Sequence, residues 1–405
     1  MLAIVAPGQG AQTPGFLAPW LELESFAARL NWLSAVTGLD LADYGTNADA
    51  ETIRDTAIAQ PLLVAAGLVT ALELFNKPSL AYNRVGVVAG HSVGEITAAS
   101  AVGVMSAESA MVLVRERGRA MATASAARPT SMTAVIGGDR DEVLAAIEAA
   151  GLTPANNNGS GQIVAAGTVE QLEQLADLAP KRTRLIPLSV AGAFHTVHME
   201  PAVDHLRTLA QAVYTRDPRT RLLSNRDGQV VASGREYLNR MVDQVANPVR
   251  WDLCMETMRD LGVTGMLEVQ PAGTLTGIAK RNLKGVELFN LNTPDQLDDA
   301  RDFITRHSDE VTSPDLATTP SWRMVVAPGK GEFTRAPGLQ PGSQLARGAV
   351  VGSVSNLRGA VEVHAEHAGE VVEWAVEQGD PVSPGQPLLR LHPAPEQGSS
   401  SAIGN

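Results

Sequence analysis

A short glycine-flanked segment, residues 90–94 with the sequence Gly-His-Ser-Val-Gly, constrains the fold more than any other part of the chain. A segment at residues 84–89 that is apolar after its first residue, Arg84, precedes it and predicts a buried strand, and a helical pattern at residues 92–102 follows. The glycines allow a sharp turn that lifts the Ser92 hydroxyl above the end of the strand. An ordinary strand–helix turn with a capping serine has the same composition. The strand before and the helix after favour a nucleophile elbow.

Residues 1–308 alternate short apolar runs with helical patterns, which predicts an α/β domain with a largely parallel sheet. Strands are predicted at residues 2–6 and 265–269, and helices at 60–75 and 107–125. Within residues 131–188 the predicted order is strand–helix–strand–strand–helix–strand, which is the ferredoxin-like pattern. We therefore expect a small subdomain inserted in the larger one.

The character of the sequence changes after residue 308. Residues 309–321 are polar and interrupted by proline, which predicts a linker. Residues 322–393 are rich in Gly, Pro and Val, and two similar segments, 339–348 and 376–385, each hold two glycines six residues apart. This weak repeat predicts a small β-sandwich or flattened barrel with internal pseudo-symmetry. Residues 394–405 are predicted to be a disordered tail.

Charge and cysteine content exclude several classes of protein. The 405 residues carry a formal net charge of −12, which argues against a nucleic-acid binder or a binder of anionic membranes. The single cysteine, Cys254, forms no internal disulfide, as expected in a reducing cytoplasm. The N-terminus lacks the features of a signal peptide, and no stretch approaches the ~18 apolar residues that span a bilayer. We expect a cytoplasmic protein.

A serine nucleophile needs a base, and the chain has eight histidines. The side chain of His91 is expected to point away from that of its neighbour, Ser92. Three histidines lie in the C-terminal region, one lies beside the linker, and His205 falls in an amphipathic helical pattern. Of the remaining two, His195 follows an apolar run and a turn of small residues, so it is preferred over His198.

Two other features bear on the site. The glycine-rich turn at residues 7–12 follows the first strand, and turns at the carboxyl ends of parallel strands gather at one edge of a sheet. It could supply a second oxyanion N–H beside that of Val93, although an ordinary glycine turn fits equally well. Arg117 lies in an apolar stripe of the helix at 107–125, where a guanidinium needs a partner. An internal salt bridge, a snorkelling side chain and a clamp for an acidic ligand all satisfy this need.

Several separated motifs agree in order and spacing with one family. Over about residues 1–308 the chain resembles the malonyl-CoA:acyl carrier protein transacylase family. The motifs are Gly8-Gln9-Gly10-Ala11-Gln12, Gln60-Pro61, Gly90-His91-Ser92-Val93-Gly94-Glu95, Arg117-Gly118, Asn156-Asn157-Asn158 with Gly161-Gln162, Ala193-Phe194-His195, and Gln244 before Asn247-Pro248-Val249. The resemblance implies an α/β-hydrolase-like large subdomain with a ferredoxin-like insertion.

The resemblance also implies a role for each site residue. Ser92 is acylated, and His195 is the base, oriented by the backbone carbonyl of Gln244. The backbone N–H groups of Gln9 and Val93 hold the oxyanion, and the guanidinium of Arg117 pairs with the malonyl carboxylate. Asn156 and Asn158 are the implied contacts for pantetheine. Val93 and the pair Ala193-Phe194 fit malonyl rather than methylmalonyl units.

The activity implied is transfer of malonyl from malonyl-CoA to the thiol of acyl carrier protein, for fatty-acid or polyketide synthesis. No permanently bound cofactor and no metal is expected, with malonyl-CoA as the substrate. A serine esterase or thioesterase using the same Ser–His pair is the alternative, and a non-enzymatic scaffold is a third hypothesis. Acyl carrier proteins are acidic, so basic patches are candidate docking sites, although each alone also fits a solvated charged face. They are Lys181-Arg182 with Arg184, and Lys280-Arg281 with Lys284.

Residues 322–393 resemble the biotinyl/lipoyl carrier fold, most clearly at 359–365, 368–372 and 377–386. Carrier domains modify a lysine just before this segment, whereas the aligned residue here is Arg358. A protonated guanidinium is no nucleophile for that acylation. The only lysine of the region, Lys330, lies well upstream. We therefore expect a lipoyl-like fold without biotin or lipoate that serves as a docking or scaffolding module for a partner of unknown identity.

Overall fold

The structure is a computed structural model, and it describes residues 1–75, 81, 83–190, 192–308, 323–356 and 359–393. The chain divides into two compact units, Met1–Val311 and Thr312–Asn405. The predicted linker at 309–321, the predicted tail at 394–405 and Arg358 lie outside the described residues.

A parallel five-stranded sheet forms the centre of the N-terminal unit. Its strands are β1 (Leu2–Ala6), β2 (Val87–Gly90), β7 (Arg221–Leu222), β9 (Gly265–Glu268) and β10 (Glu287–Asn290), in the order β10-β9-β1-β2-β7. Every neighbouring pair is parallel. The central strands are buried and, apart from Glu268 at the end of β9, apolar, as expected of a sheet covered on both faces. The predicted α/β fold with a parallel sheet is confirmed.

The described residues of the N-terminal unit also form α-helices, most of which lie between its strands along the chain. They are α1 (Glu24–Thr37), α2 (Leu41–Thr46), α3 (Thr56–Leu74), α4 (Gly94–Ala101), α5 (Ala107–Ala126), α6 (Arg140–Ala149), α7 (Val169–Leu178), α8 (Glu200–Ala212), α9 (Gly234–Asp243), α10 (Trp251–Asp260), α11 (Thr274–Asn282) and α12 (Leu297–His307).

The sequence prediction for residues 84–89 is wrong at its start. Residue 84 is helical, and the N–H of Val85 donates to the carbonyl of Ala81, as in a helical turn. The strand begins only at Val87. The apolar run extends further because Val85 is buried in the core without belonging to the sheet.

Helix α3 overturns a second expectation. It is long and apolar enough, by length and composition, to cross a membrane, so an apolar stretch of that length does exist. Most of the helix, 72% of its apolar window, is buried inside the unit, where it contacts α1, α4 and α5. A helix that is apolar on all sides suits such a central position in a protein core.

A second sheet lies within the same unit. Its strands are β3 (Thr130–Gly137), β4 (Thr153–Asn157), β5 (Gln162–Thr168), β6 (Thr183–Pro187) and β8 (Val249–Arg250), in the order β6-β3-β5-β4-β8. The first four strands are antiparallel, and α6 and α7 occur between them along the chain. Strand β8 comes from a later part of the chain and pairs in parallel with β4, which attaches this sheet to the rest of the unit.

The C-terminal unit is built from eight strands among its described residues. They are β11 (Arg323–Val326), β12 (Gly331–Arg335), β13 (Gln344–Leu345), β14 (Val350–Asn356), β15 (Gly359–His364), β16 (Gly369–Trp374), β17 (Pro381–Val382) and β18 (Pro387–Pro393). They form two four-stranded sheets, β11-β18-β16-β13 and β15-β14-β12-β17. If four is added to each strand number of the first sheet, with β11 counted as following β18, the strand order of the second sheet results. The two sheets are therefore topologically equivalent. The buried side chains include Phe333, Val351 and Leu388.

Candidate active site

The glycine-flanked serine segment forms a strained turn between β2 and α4. Ser92 has a φ of 53°, in the left-handed region that a residue with a Cβ seldom adopts. A Cβ on Gly90 would lie 2.0 Å from the carbonyl carbon of Gly94, and a Cβ on Gly94 would lie 2.3 Å from the carbonyl oxygen of Ala6. Both positions therefore require glycine, and the turn presents the serine at the carboxyl edge of the sheet.

Ser92 and His195 are in hydrogen-bond contact. The serine Oγ lies 2.8 Å from Nε2 of His195, and Nδ1 of the same ring lies 2.7 Å from the carbonyl oxygen of Gln244. Because a carbonyl only accepts, Nδ1 carries the proton and Nε2 is left to accept from the serine hydroxyl. His198, the other candidate, is half-buried, and its backbone N–H donates to Thr196.

His195 is held in its neutral form. It is 3% exposed, and burial, reinforced by the nearby charge of Arg117, lowers its pKa to about 3. The residue also has a φ of 61°, so the backbone is strained at both members of the Ser–His pair. Strain of this kind persists where the surrounding structure holds it, and it clusters at functional sites.

Arg117 reaches the serine from α5. Its Nη1 donates to Oε1 of Gln60 at 2.6 Å, and its Nη2 donates to Oε1 of Gln244 at 2.9 Å and to Oγ of Ser92 at 3.4 Å. The side chain is 3% exposed, so it does not snorkel to solvent, and no ion pair joins it to an acid among the described residues. Burial lowers the pKa of Arg117 to about 10, which leaves it charged near neutral pH. A buried cation bonded only to neutral groups is suited to an anionic ligand.

The side-chain amide of Gln244 links several parts of the site. Its Nε2 donates to Oε2 of Glu95 at 2.7 Å, to the carbonyl of Ser92 at 3.1 Å and to Oδ1 of Asn225 at 3.2 Å. Sequence reasoning assigned Gln244 only its backbone carbonyl and assigned Glu95 and Gln60 no role, although both stand in the quoted motifs.

Asn225 is a site residue that sequence reasoning missed. Its Oδ1 accepts from the N–H of Ser92 at 2.8 Å, and its Nδ2 donates to the carbonyl of Gly90 at 2.7 Å. The backbone N–H of Asn225 donates to Oε1 of Glu95 at 2.6 Å. One fully buried side chain thus holds both sides of the serine turn. Its position in a loop after a two-residue strand offers no periodic signal from which this contact could be read.

A cavity of about 450 Å³ opens beside the Ser–His pair and is lined by Gln9, Asn156 and Asn158, among others. The side chain of Gln9 donates to the carbonyl of Arg54 and to Oγ1 of Thr56, both at 3.2 Å, which anchors the glycine-rich turn. Within the described part of the chain, no hydrogen bond engages the backbone N–H of Gln9 or that of Val93. Both N–H groups therefore remain available to an oxyanion.

His91 lines the same cavity but bonds to Asn158 rather than to Ser92. Its Nε2 lies 3.0 Å from Oδ1 of Asn158, and its ring meets that of Trp251 edge-on at 5.7 Å. Burial lowers the pKa of His91 to about 4. The two basic patches named from sequence are exposed, one just before and within β6 and the other at the end of α11. Among the residues described, no group of His, Cys, Asp or Glu side chains is arranged to hold a metal ion.

Residues 4–305 match the family model described as the acyl transferase domain, so the N-terminal unit is of the acyl transferase class. A malonyl CoA-acyl carrier protein transacylase of Mycobacterium tuberculosis is 50% identical over 299 residues, which cover 74% of this chain and 99% of that protein. The Escherichia coli protein of the same name is 33% identical over 304 residues, covering 72% of this chain and 96% of the relative. The chain belongs to the malonyl CoA-acyl carrier protein transacylase family.

Solved structures agree. The crystal structure of MCAT from Mycobacterium tuberculosis has a TM-score of 0.72 and 49% identity, and it covers 74% of this chain and 99% of its own. A second structure, of a type II PKS acyl-carrier protein in complex with its malonyl-transacylase, has a TM-score of 0.68 and 29% identity, with coverage of 74% and 99%.

Proposed function

We propose that this protein transfers the malonyl group of malonyl-CoA to the phosphopantetheine thiol of acyl carrier protein, through a malonyl ester on Ser92. The observation that carries the proposal is the buried Arg117, whose guanidinium lies 3.4 Å from the serine Oγ with neutral hydrogen-bond partners. A nucleophile beside such a cation is arranged for an acyl group that ends in a carboxylate. The names of the relatives support the same substrate and acceptor.

The first half-reaction acylates the enzyme. Nε2 of His195 takes the proton of the Ser92 hydroxyl as Oγ attacks the thioester carbonyl carbon. The N–H groups of Gln9 and Val93 hold the oxyanion that forms. The carbon–sulfur bond then breaks, and the coenzyme A sulfur leaves with the proton held by His195.

The second half-reaction reverses the first with a new thiol. His195 takes the proton of the pantetheine thiol as its sulfur attacks the malonyl ester, and it returns that proton to Oγ of Ser92 as the ester bond breaks. Thioester and serine ester are comparably reactive, so two modest barriers replace one direct exchange. Ping-pong kinetics follow, and we propose Asn156 and Asn158 as contacts for the pantetheine arm.

The malonyl carboxylate has a second effect besides binding. The positive charge of Arg117 is one reason for the depressed pKa of His195, after burial. A carboxylate paired with Arg117 offsets that charge, so the imidazole becomes a stronger base when the correct acyl group is present. Val93 and the pair Ala193-Phe194 support malonyl rather than methylmalonyl as that group.

We propose an α/β-hydrolase-like large subdomain with a ferredoxin-like insertion at residues 131–188, supported by the strand order β6-β3-β5-β4. We propose that residues 322–393 form a biotinyl/lipoyl-like domain, supported by its two topologically equivalent sheets. Because the sequence has Arg358 where carriers have lysine, this domain is proposed to carry no biotin or lipoate and to dock a partner.

The protein is proposed to be soluble and cytoplasmic, with the two basic patches facing acyl carrier protein.

Intact-mass measurement after incubation with malonyl-CoA tests the proposal. A single malonyl adduct, localised to Ser92 by peptide mapping and discharged by added acyl carrier protein, is the expected result. Release of free malonate without any thiol acceptor, at a rate equal to that of adduct formation, would identify a serine esterase or thioesterase instead. Failure of acyl carrier protein to accept the group would also exclude the proposed transfer.

A further inference from the structure

We propose that Glu95 is a positioning residue that sets the preference for acyl groups bearing a carboxylate, because it fixes the direction of the hydrogen bonds running from Arg117 through Gln244 to Glu95. The inference rests on the malonyl transfer proposed above. It assigns a function to a side chain that acts on the substrate only through its neighbours.

The amide of Gln244 has one useful orientation. Its oxygen accepts from Nη2 of Arg117 at 2.9 Å, and its nitrogen faces an oxygen of Glu95 at 2.7 Å. A side-chain amide has an acceptor end and a donor end, so exchanging them would bring its N–H groups against the N–H groups of the guanidinium. The correct orientation keeps Arg117 directed at Ser92.

Glu95 makes the shortest of the three bonds that hold this orientation, and the other two run from Nε2 of Gln244 to the carbonyl of Ser92 at 3.1 Å and to Oδ1 of Asn225 at 3.2 Å. Glu95 accepts through both of its oxygens. Oε1 accepts from the backbone N–H of Asn225 at 2.6 Å, and Oε2 accepts from Gln244. The residue is 1% exposed, so water does not readily substitute for either partner. An ionised carboxylate is the one common side-chain group that offers acceptors alone. It also stabilises the charge of Arg117 from beyond Gln244, and this leaves the guanidinium accessible to the acyl carboxylate.

Replacing Glu95 with glutamine changes one oxygen into a donor at nearly constant volume. If the oxygen of the new amide keeps the bond from the N–H of Asn225, its nitrogen faces the nitrogen of Gln244. The conflict pushes Nε2 of Gln244 away from position 95 and leaves the amide held by the carbonyl of Ser92 and Oδ1 of Asn225 alone, so the oxygen that accepts from Arg117 is displaced with it. The expected result is a guanidinium that no longer points at the acyl carboxylate, with the Ser–His pair still in place.

Protonation of Glu95 should act in the same way, since it also adds a donor. Burial raises the pKa of Glu95 to about 7, against hydrogen bonds and the charge of Arg117, which lower it. The titratable groups that face Glu95 are Arg117 on α5, Tyr237 on α9 and Cys254 on α10. Arg117 has a pKa of about 10, and burial raises the pKa of Tyr237 and of Cys254 well above their usual values. Between pH 6 and pH 8, Glu95 is thus the member of this group that changes its charge.

The test compares the initial rates at which Ser92 of the full-length protein is acylated by malonyl-CoA and by acetyl-CoA, followed by intact mass. At pH 8, Glu95→Gln should lower the malonyl-to-acetyl ratio by about tenfold or more, since charge-assisted hydrogen bonds on the guanidinium are lost. Glu95→Asp keeps the acceptors and should retain more of the ratio. Glu268→Gln is the matched control, because Glu268 is also fully buried but accepts from N–H groups at the start of α11. It should leave the ratio unchanged.

The outcomes separate the possibilities. An unchanged ratio in Glu95→Gln, or a ratio retained better by the isosteric glutamine than by aspartate, overturns the positioning role in favour of simple packing. If Glu95→Gln accepts neither acyl group, the malonyl-to-acetyl ratio of the wild-type protein is measured at both pH values instead. This ratio should be lower at pH 6 than at pH 8, and a constant ratio overturns the proposal. A wild-type protein that forms no malonyl adduct contradicts the malonyl transfer itself.

Discussion

The imidazole of His195 is oriented by the main chain, because its Nδ1 lies 2.7 Å from the carbonyl oxygen of Gln244. A carbonyl fixes the tautomer as an aspartate would, but it adds no negative charge beside the ring. Burial first, and the charge of Arg117 second, lower the pKa of His195. The proposed pairing of the acyl carboxylate with Arg117 would therefore link acyl-group selection to the strength of the base.

Replacing the nucleophile should abolish acylation while leaving the fold intact. Ser92→Ala is expected to lower the transfer rate by roughly 10⁴-fold or more, as when other serine nucleophiles are removed. Ser106→Ala is the control, since Ser106 caps α5 by accepting from the N–H of Ser109. It should cost about 1 kcal/mol of stability and leave adduct formation unchanged. A malonyl adduct on the Ser92→Ala protein would place the acyl group on another residue.

Removing the guanidinium should change selectivity more than reactivity. Arg117→Ala is expected to cost about 2–5 kcal/mol of transition-state stabilisation for malonyl transfer, as when one partner of a buried charge pair is truncated. Acetyl transfer should persist, because the pKa of His195 rises when the Arg117 charge is removed. Competition between the two acyl-CoA substrates measures the effect, with the exposed Arg119→Ala as the control. Equal losses for both substrates would contradict a carboxylate clamp.

Loss of the Asn225 side chain should loosen the serine turn. Asn225→Ala leaves the N–H of Ser92 and the carbonyl of Gly90 without their partner, at a cost of about 1–3 kcal/mol for each unsatisfied buried group. We expect a lower unfolding midpoint in urea and slower acylation by both malonyl-CoA and acetyl-CoA. Asn47→Ala, at an exposed position, is the control. Wild-type acylation rates in the Asn225→Ala protein would show that the turn holds its shape without this contact.

Acid should destabilise the N-terminal unit partly through His91. Burial depresses the folded-state pKa of His91 to about 4, below its value of 6.5 in an unfolded chain. The unfolded state therefore binds the proton first, and the stabilisation present above pH 6.5 is lost as the pH falls towards 4. Each such group contributes a slope of at most about 1.4 kcal/mol per pH unit. His91→Gln should flatten the dependence of the urea midpoint on pH between pH 7 and pH 5. An equal slope in His91→Gln and wild type would refute this.

The C-terminal unit should be dispensable for the chemistry. The match to the acyl transferase domain model covers residues 4–305, which lie in the N-terminal unit, and every residue proposed for the reaction lies there. A protein ending at residue 308 is expected to form the malonyl adduct at a rate within about twofold of the full chain, a change within the usual scatter of independent effects. Intact mass of the native full-length protein should show no biotin or lipoate. Detection of either group would reverse the assignment of Arg358.

The sequence alone predicted the class of fold and the position of the sharp turn that carries Ser92. Both depend on local physics. Periodicity indicates which face of a helix or strand is buried, and glycine indicates where the backbone turns sharply or comes close to another chain segment. The buried stripe of α5 and the elbow around Ser92 were predictable for this reason. Local signals also narrowed the base to two histidines and left three interpretations of Arg117.

Only the tertiary structure decided which polar groups meet. Asn225 bonds to the N–H of Ser92 across 133 residues of sequence, and Gln244 bonds to Glu95 across 149 and accepts from Arg117 across 127. Burial patterns indicate that such groups need partners, but they carry no information on which distant donor faces which acceptor. The folded chain brings these groups within hydrogen-bond distance, and there the direction of each bond determines whether Arg117 is positioned to receive a carboxylate.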